Sequence, residues 1–186
     1  MELMMHSYVE MYKEMHRSGL TGYNYDEHNM FTLPASETFS GISLGPHVFY
    51  IANFARNMQC KTALDYGCGK ASLYKRIDPS GKTLQDIWGM DNISLYDPAV
   101  PEYEVKPSPC DLVVCTDVME HIPESEVEAV LKDINMLANK AVYFCISYKK
   151  AYALLPNGEN AHCTVKSEDW WKEQISKYID KPFVMM

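Results

Sequence analysis

Long hydrophobic runs are missing from this chain. The longest clean apolar stretch, Ala141 to Ile146, is far too short to span a bilayer, and Met1-Glu2-Leu3-Met4-Met5-His6 lacks the basic start of a secretory signal. No membrane partner is expected. Positive charge is also scarce: 17 Lys and Arg stand against 25 Asp and Glu, a formal net charge of −8. Such a chain is a poor electrostatic match for a bare phosphate backbone, so nucleic acid is an unlikely partner on charge grounds. The six cysteines, at 60, 68, 110, 115, 145 and 163, contain no C-x-x-C pair and sit mostly in apolar runs. They read as reduced, buried thiols in a cytoplasmic setting, with neither a disulfide frame nor a zinc site. Repeats, low-complexity tracts and linkers are absent as well, which leaves a single domain over residues 1–186. What the chain has in excess is 12 Met and 13 Tyr.

The apolar pattern has a rhythm. Met4, Tyr8, Met11 and Met15 recur at helical spacing. From Gly19 to Pro46 no period is clear, and a segment this long either carries function or hides short elements. Gly45-Pro46 then opens a helix with Val48, Ile51, Ala52 and Ala55 on one face. Thr62–Tyr66 reads as a strand, followed by a helix-like segment carrying Leu73, Tyr74 and Ile77. Asp111–Asp117 and Ala141–Ser147 read as strands buried on both faces. Between them, Pro123-Glu124-Ser125-Glu126 starts a helix bearing Val127, Val130, Leu131, Ile134 and Leu137. Ser167 caps a last helix, and Phe183–Met186 forms a closing strand. Strands separated by helices predict an α/β domain with a Rossmann-like, doubly wound, mostly parallel sheet. A ligand of such a sheet lies beyond the carboxyl ends of its strands.

The first of those ends carries Asp65-Tyr66-Gly67-Cys68-Gly69-Lys70-Ala71. Two glycines let the backbone turn sharply and let a ligand approach main-chain N–H groups with no Cβ in the way. The pattern is neither G-x-G-x-x-G nor a phosphate loop ending in G-K-[ST]. It resembles motif I of the class I S-adenosylmethionine-dependent methyltransferases, D-x-G-C-G-x-G, and departs from it at the last glycine, here Ala71. A second segment, Cys115-Thr-Asp-Val-Met-Glu-His-Ile-Pro123, resembles the region after the fourth strand of many small-molecule methyltransferases. The resemblance spans roughly residues 45–150. Phe39–His47, Asn157–His162 and Trp170-Trp171 resemble features of a small phage- or bacterium-type subgroup.

The resemblance implies a trimmed class I methyltransferase fold with S-adenosylmethionine as cofactor. It casts residues 1–60 as an N-terminal helical cap over the substrate and 61–186 as the cofactor-binding core. Gly67, Cys68 and Gly69 would admit the amino-acid end of the cofactor, and Asp65 would order the loop and reach its ammonium. An acid ending the second strand would hold the ribose hydroxyls, since a carboxylate accepts from both. Asp97 is preferred for that role, with Asp91 as the alternative nearer the family's usual spacing. Asp117 and Val118 would lie beside the sulfonium. His121 and His162 are the candidates for a base or acceptor contact. The expected acceptor is a small molecule, sugar or peptide-like O- or N-nucleophile. A carboxylate cluster for magnesium cannot be assembled, so no metal site is expected. Two other readings stay open: a non-catalytic cofactor binder of the same fold, and another doubly wound nucleotide binder. The cover would draw on Met4, Met5, Met11, Met15, Tyr8, Tyr12, Tyr23, Tyr25 and Met30, flexible and aromatic groups suited to an adaptable surface, although core packing is their plainer use.

Overall fold

A computed structural model describes residues 2–186, with side chains from Tyr8 onward. Its centre is a five-stranded sheet of β3 (Thr62–Tyr66), β4 (Asn92–Tyr96), β5 (Cys110–Thr116), β6 (Ala138–Cys145) and β8 (Phe183–Met185). The spatial order is β4-β3-β5-β6-β8, and every pairing is parallel. Successive side chains on a strand point to opposite faces, so both faces need cover. Leu64, Val113, Cys115, Val142 and Phe144 join one core cluster; Ala63, Leu112, Val114, Ala141 and Tyr143 join the other. The first face is covered by α4 (Val127–Leu137) and α5 (Glu168–Tyr178), which bury Leu131, Ile134, Trp171 and Ile175 against it. The second is covered by α2 (Val48–Asn57) and α3 (Leu84–Trp88), with Ile51, Ala55 and Trp88 inward. The chain leaves β3, forms β4 on one side, and returns across β3 to build β5 on the other. That reversal opens a crevice at the carboxyl ends of β3 and β5.

The segment without a period does hide elements. β1 (Leu20–Asn24) and β2 (Asn29–Leu33) form a hairpin, and β7 (Ala153–Leu154) joins the other edge of β1 to give an antiparallel sheet β2-β1-β7. With α1 (Glu2–Ser18), this sheet makes the cover over the crevice. Two expectations change here. The cover is helix plus sheet and recruits β7 from far along the chain, whereas α2 belongs to the core, so the division drawn at residue 60 moves to just before Val48. Among the residues assigned to the cover, Met15 is buried against Leu155 and Ala161, with Tyr8, Met11 and Tyr12 packed around them. Met30 is 57% exposed and packs little, and the Met4 and Met5 side chains lie outside those described.

The helix expected behind the glycine loop is also shorter than its apolar pattern suggested. A single 3-10 turn, Ser72–Lys75, is all that forms, because Pro79 and Gly81 follow and the Asp78 carboxylate takes the backbone N–H groups of Ser80 and Lys82. Regular helix resumes at α3, where Thr83 and Asp86 form a reciprocal capping box. Among the described residues, no helix is long and apolar enough to cross a membrane.

Candidate functional site

A cavity of about 850 Å³ lies between the strand ends and the cover. Its wall takes Gly67 and Gly69 from the turn after β3, Asp97 after β4, Asp117 and Val118 after β5, and Ser147 after β6. Tyr8, Tyr12 and His16 of α1 face them across the space.

Backbone geometry explains the glycines. Gly67 has φ 82°, and a Cβ there would lie 2.3 Å from Val118 Cγ2. Gly69 has φ 55°, and a Cβ there would lie 2.4 Å from the Phe39 carbonyl oxygen. Neither position can take a side chain without moving a neighbour. The loop is tied down from both sides. Tyr96 O accepts from the N–H groups of Gly67 and Cys68, at 2.7 and 3.1 Å, and Phe39 O accepts from Lys70 N–H at 2.8 Å. The Lys70 ammonium donates to Thr38 O and Thr38 Oγ1, both at 2.9 Å, and to Ala35 O. Ala71, in place of the last motif glycine, sits in the left-handed region at φ 53°.

The two acids weighed for the second strand separate cleanly. Asp97 follows the carboxyl end of β4 and lines the cavity; Asp91 is exposed and precedes β4, at the opposite edge of the sheet. Asp97 Oδ2 accepts from Gly69 N–H and Oδ1 from Ala99 N–H, both at 2.9 Å. Each oxygen keeps a lone pair, so the carboxylate can still accept two hydroxyl protons side by side. Burial holds its pKa above the ordinary carboxylate value, and the two N–H bonds draw it only part of the way back. Asp65 is placed differently. It is buried behind the glycine loop, off the cavity wall, and accepts from the Tyr74 hydroxyl at 2.9 Å. Burial raises its pKa to about 7. Cys68 is buried too and does not line the cavity; its thiol points at Gly69 O.

Across the cavity, Asp117, His121 and His162 come together. Asp117 adopts φ 59°, its N–H donates to Cys145 O at 2.9 Å, and its side chain is exposed to the cavity. One carboxylate oxygen of Asp117 and one ring nitrogen of each histidine lie within 4.8 Å of one another. The His121 and His162 rings meet edge to face, 4.6 Å between centroids. His121 Nδ1 lies 3.0 Å from Ala161 O and 2.8 Å from the Tyr12 hydroxyl, which itself donates to Ala161 O at 3.0 Å. A carbonyl only accepts, so Nδ1 carries the hydrogen and Nε2 is left with a free lone pair. The same logic holds for His162, whose Nδ1 faces Lys149 O at 2.5 Å. Burial, and then the neighbouring His162, hold His121 below the ordinary histidine range, so it is neutral at pH 7. Behind them, Glu120 is fully buried; its Oε1 accepts from Ser147 N–H at 2.5 Å and its Oε2 has no partner. Burial and the Asp117 carboxylate push the Glu120 pKa upward.

Among the cavity-wall residues named so far, His16 was not read from sequence, Phe39 and Ser147 appeared only as ends of segments, and Tyr12 only as part of the expected cover; Glu120 was legible only as a neighbour of His121. The Tyr8–Tyr12 pair at i,i+4 spacing was the available signal, since it places both rings on one face of α1.

Comparison with known proteins decides the family. A family model described as a methyltransferase domain matches residues 48–178, well over half of the chain. The chain belongs to the class I S-adenosylmethionine-dependent methyltransferase family. No curated protein matches it. Methyltransferases of this kind generally use S-adenosylmethionine. The residues present suit that cofactor on their own chemistry: a glycine turn open to the crevice, a cavity within the ~300–1,000 Å³ of small-molecule sites, and an Asp97 carboxylate with two lone pairs left over. The parallel sheet with helices on both faces is this fold in trimmed form. The chain from Asp97 to Pro109 contains no helix, where a larger sheet would carry one more crossover.

Proposed function

We propose that the protein is an S-adenosylmethionine-dependent methyltransferase acting on a small acceptor through an oxygen or nitrogen nucleophile, a sugar or peptide-like molecule included. The observation that carries the reading is the pairing, within one cavity, of a braced carboxylate at the second strand end with two imidazoles whose Nε2 lone pairs are free. When bound, S-adenosylmethionine supplies an electrophilic methyl group. The protein's part is to hold and align. Gly67 and Gly69 put backbone on the cavity wall, and Asp97 offers acceptors for ribose hydroxyls. The carboxylate of Asp117 gives the far wall a negative field suited to a cationic ligand. His121 and His162 can accept the proton that a hydroxyl or ammonium acceptor gives up. The α1 helix and the 147–162 segment wall the space above them. Lys149 and Lys150 lie exposed on the rim, which favours an acceptor that also carries an anionic group.

The test is transfer of a labelled methyl group from S-adenosylmethionine into a panel of hydroxyl- and amine-bearing small molecules, with and without an acidic group. Incorporation that disappears in Asp97→Ala and His162→Ala supports the reading. Cofactor binding without transfer to any acceptor in the panel would favour a non-catalytic binder.

A further inference from the structure

Asp117, His121 and His162 share a geometry that goes beyond lining the cavity. Their candidate donor atoms lie within 4.8 Å of one another. Donors on one tetrahedral zinc-type ion, at bond lengths of about 2.1 Å, sit roughly 3.4 Å apart. Closing the widest of these separations by about 1.4 Å, shared between side chains, would therefore let one ion reach all three. An independent observation points the same way. Both histidines give their Nδ1 hydrogen to a backbone carbonyl, Ala161 O for one and Lys149 O for the other, so both keep Nε2 free. Metal-binding histidines use this arrangement: an outer carbonyl fixes the tautomer and aims the remaining nitrogen. Tyr12 braces the first ring further through the same carbonyl. The three ligands stand on the cavity wall, so an ion held there keeps positions open toward the space.

We propose that Asp117, His121 and His162 form a site for a divalent transition-metal ion of the zinc type, open on its cavity side to an oxygen of the acceptor. Two imidazoles and one carboxylate match the preferences of such ions, whereas magnesium and calcium take sets built from oxygen. The catalytic use of the site rests on the methyl-transfer reading above; the binding itself does not. An acceptor hydroxyl on the ion would have its pKa lowered. Its O–H bond breaks, the electron pair stays on oxygen, and the proton passes to solvent water. The ion then takes over the proton task from the imidazoles, which become its ligands. This narrows the acceptor to a hydroxyl compound, one able to chelate through a neighbouring carboxylate or second hydroxyl being favoured. Metal binding escaped the sequence because Asp117 and His162 are far apart along the chain and no C-x-x-C or carboxylate cluster marks them.

The full chain, stripped with a chelator, is titrated with cobalt(II) as a spectroscopic probe. One equivalent should bind and give visible bands of a nitrogen and oxygen site, without the intense near-ultraviolet band of a thiolate ligand. His162→Ala and His162→Gln should each weaken that binding at least tenfold, with far-ultraviolet circular dichroism confirming the fold. Absence of one-equivalent binding, a thiolate band, or unchanged affinity in a folded His162 variant overturns the site. S-adenosylmethionine is titrated into the stripped protein in parallel. If it binds and cobalt does not, only the metal site fails; if cobalt binds and it does not, only the methyl-transfer reading fails.

Discussion

At the scale of single residues, the site depends on a few groups that are strained or buried. Gly67 is one: its positive φ and the 2.3 Å approach to Val118 leave no room for a methyl group. Gly67→Ala should cost at least about 1–2 kcal/mol from the left-handed backbone alone, with the clash added, and thermal unfolding should show the loss. A melting temperature equal to wild type would mean the loop is built differently. Asp65 makes a prediction about pH. Its folded pKa of about 7 lies above the ordinary value of 3.8, so between those values the folded state holds more protons than the unfolded. Stability contributed by this group is therefore present at low pH and lost as pH rises through about 7. Asp65→Asn keeps an acceptor for Tyr74 and removes the buried charge. It should gain on wild type in urea unfolding at pH 8, by an amount on the order of 2–4 kcal/mol, and lose most of that advantage by pH 5. Equal differences at the two pH values would contradict the assignment. These residues were readable in advance because motif chemistry is local. The preference for Asp97 over Asp91 rested on Asp97 closing a β-prone run, against the family's usual spacing, which pointed to Asp91.

At the scale of elements, what was legible follows burial. β5 and β6 are covered on both faces, so they appear as unbroken apolar runs, and α4 shows its one buried stripe. β1 and β2 stay half-exposed, and Leu20-Thr21-Gly22-Tyr23-Asn24 offers no clean alternation, so the hairpin was hidden. α3 is short enough to escape periodicity, although its Thr83–Asp86 capping box was present to be read. The apolar Leu73, Tyr74 and Ile77 suggested a helix that Pro79 and Gly81 do not allow; Leu73 and Tyr74 pack against the second core cluster from a single turn, while Ile77 is exposed. Within the cover, α1 reaches the His121 ring through the Tyr12 hydroxyl, and on the proposed function this makes it the element nearest the acceptor. Tyr12→Phe keeps the ring against Phe39 and removes only the hydroxyl. It should lower stability by about 1 kcal/mol and slow turnover, while cofactor affinity stays within a factor of two or so. A cofactor affinity that collapsed with turnover would place Tyr12 on the wrong side of the cavity.

At the scale of the whole molecule, the trimmed sheet sets a division of labour. The parallel sheet and its helices build the strand ends that carry Gly67, Asp97 and Asp117, and the cover gathers α1, the hairpin and β7 over them. The cavity lining thus comes from chain segments far apart in sequence, which is why the proposed acceptor was the least legible part of the protein. The chain carries a formal charge of −8, yet the rim at Lys149 and Lys150 is locally positive, which supports the proposal of a small anionic acceptor. The central claim is that this crevice holds S-adenosylmethionine through Asp97. Isothermal titration of S-adenosylmethionine into the wild type, Asp97→Asn and Asp91→Asn proteins tests it most directly. Saturable one-to-one binding to wild type, weakened at least tenfold by Asp97→Asn and unchanged by Asp91→Asn, is the predicted result. No binding to wild type, or equal affinity in the Asp97 variant, would contradict it.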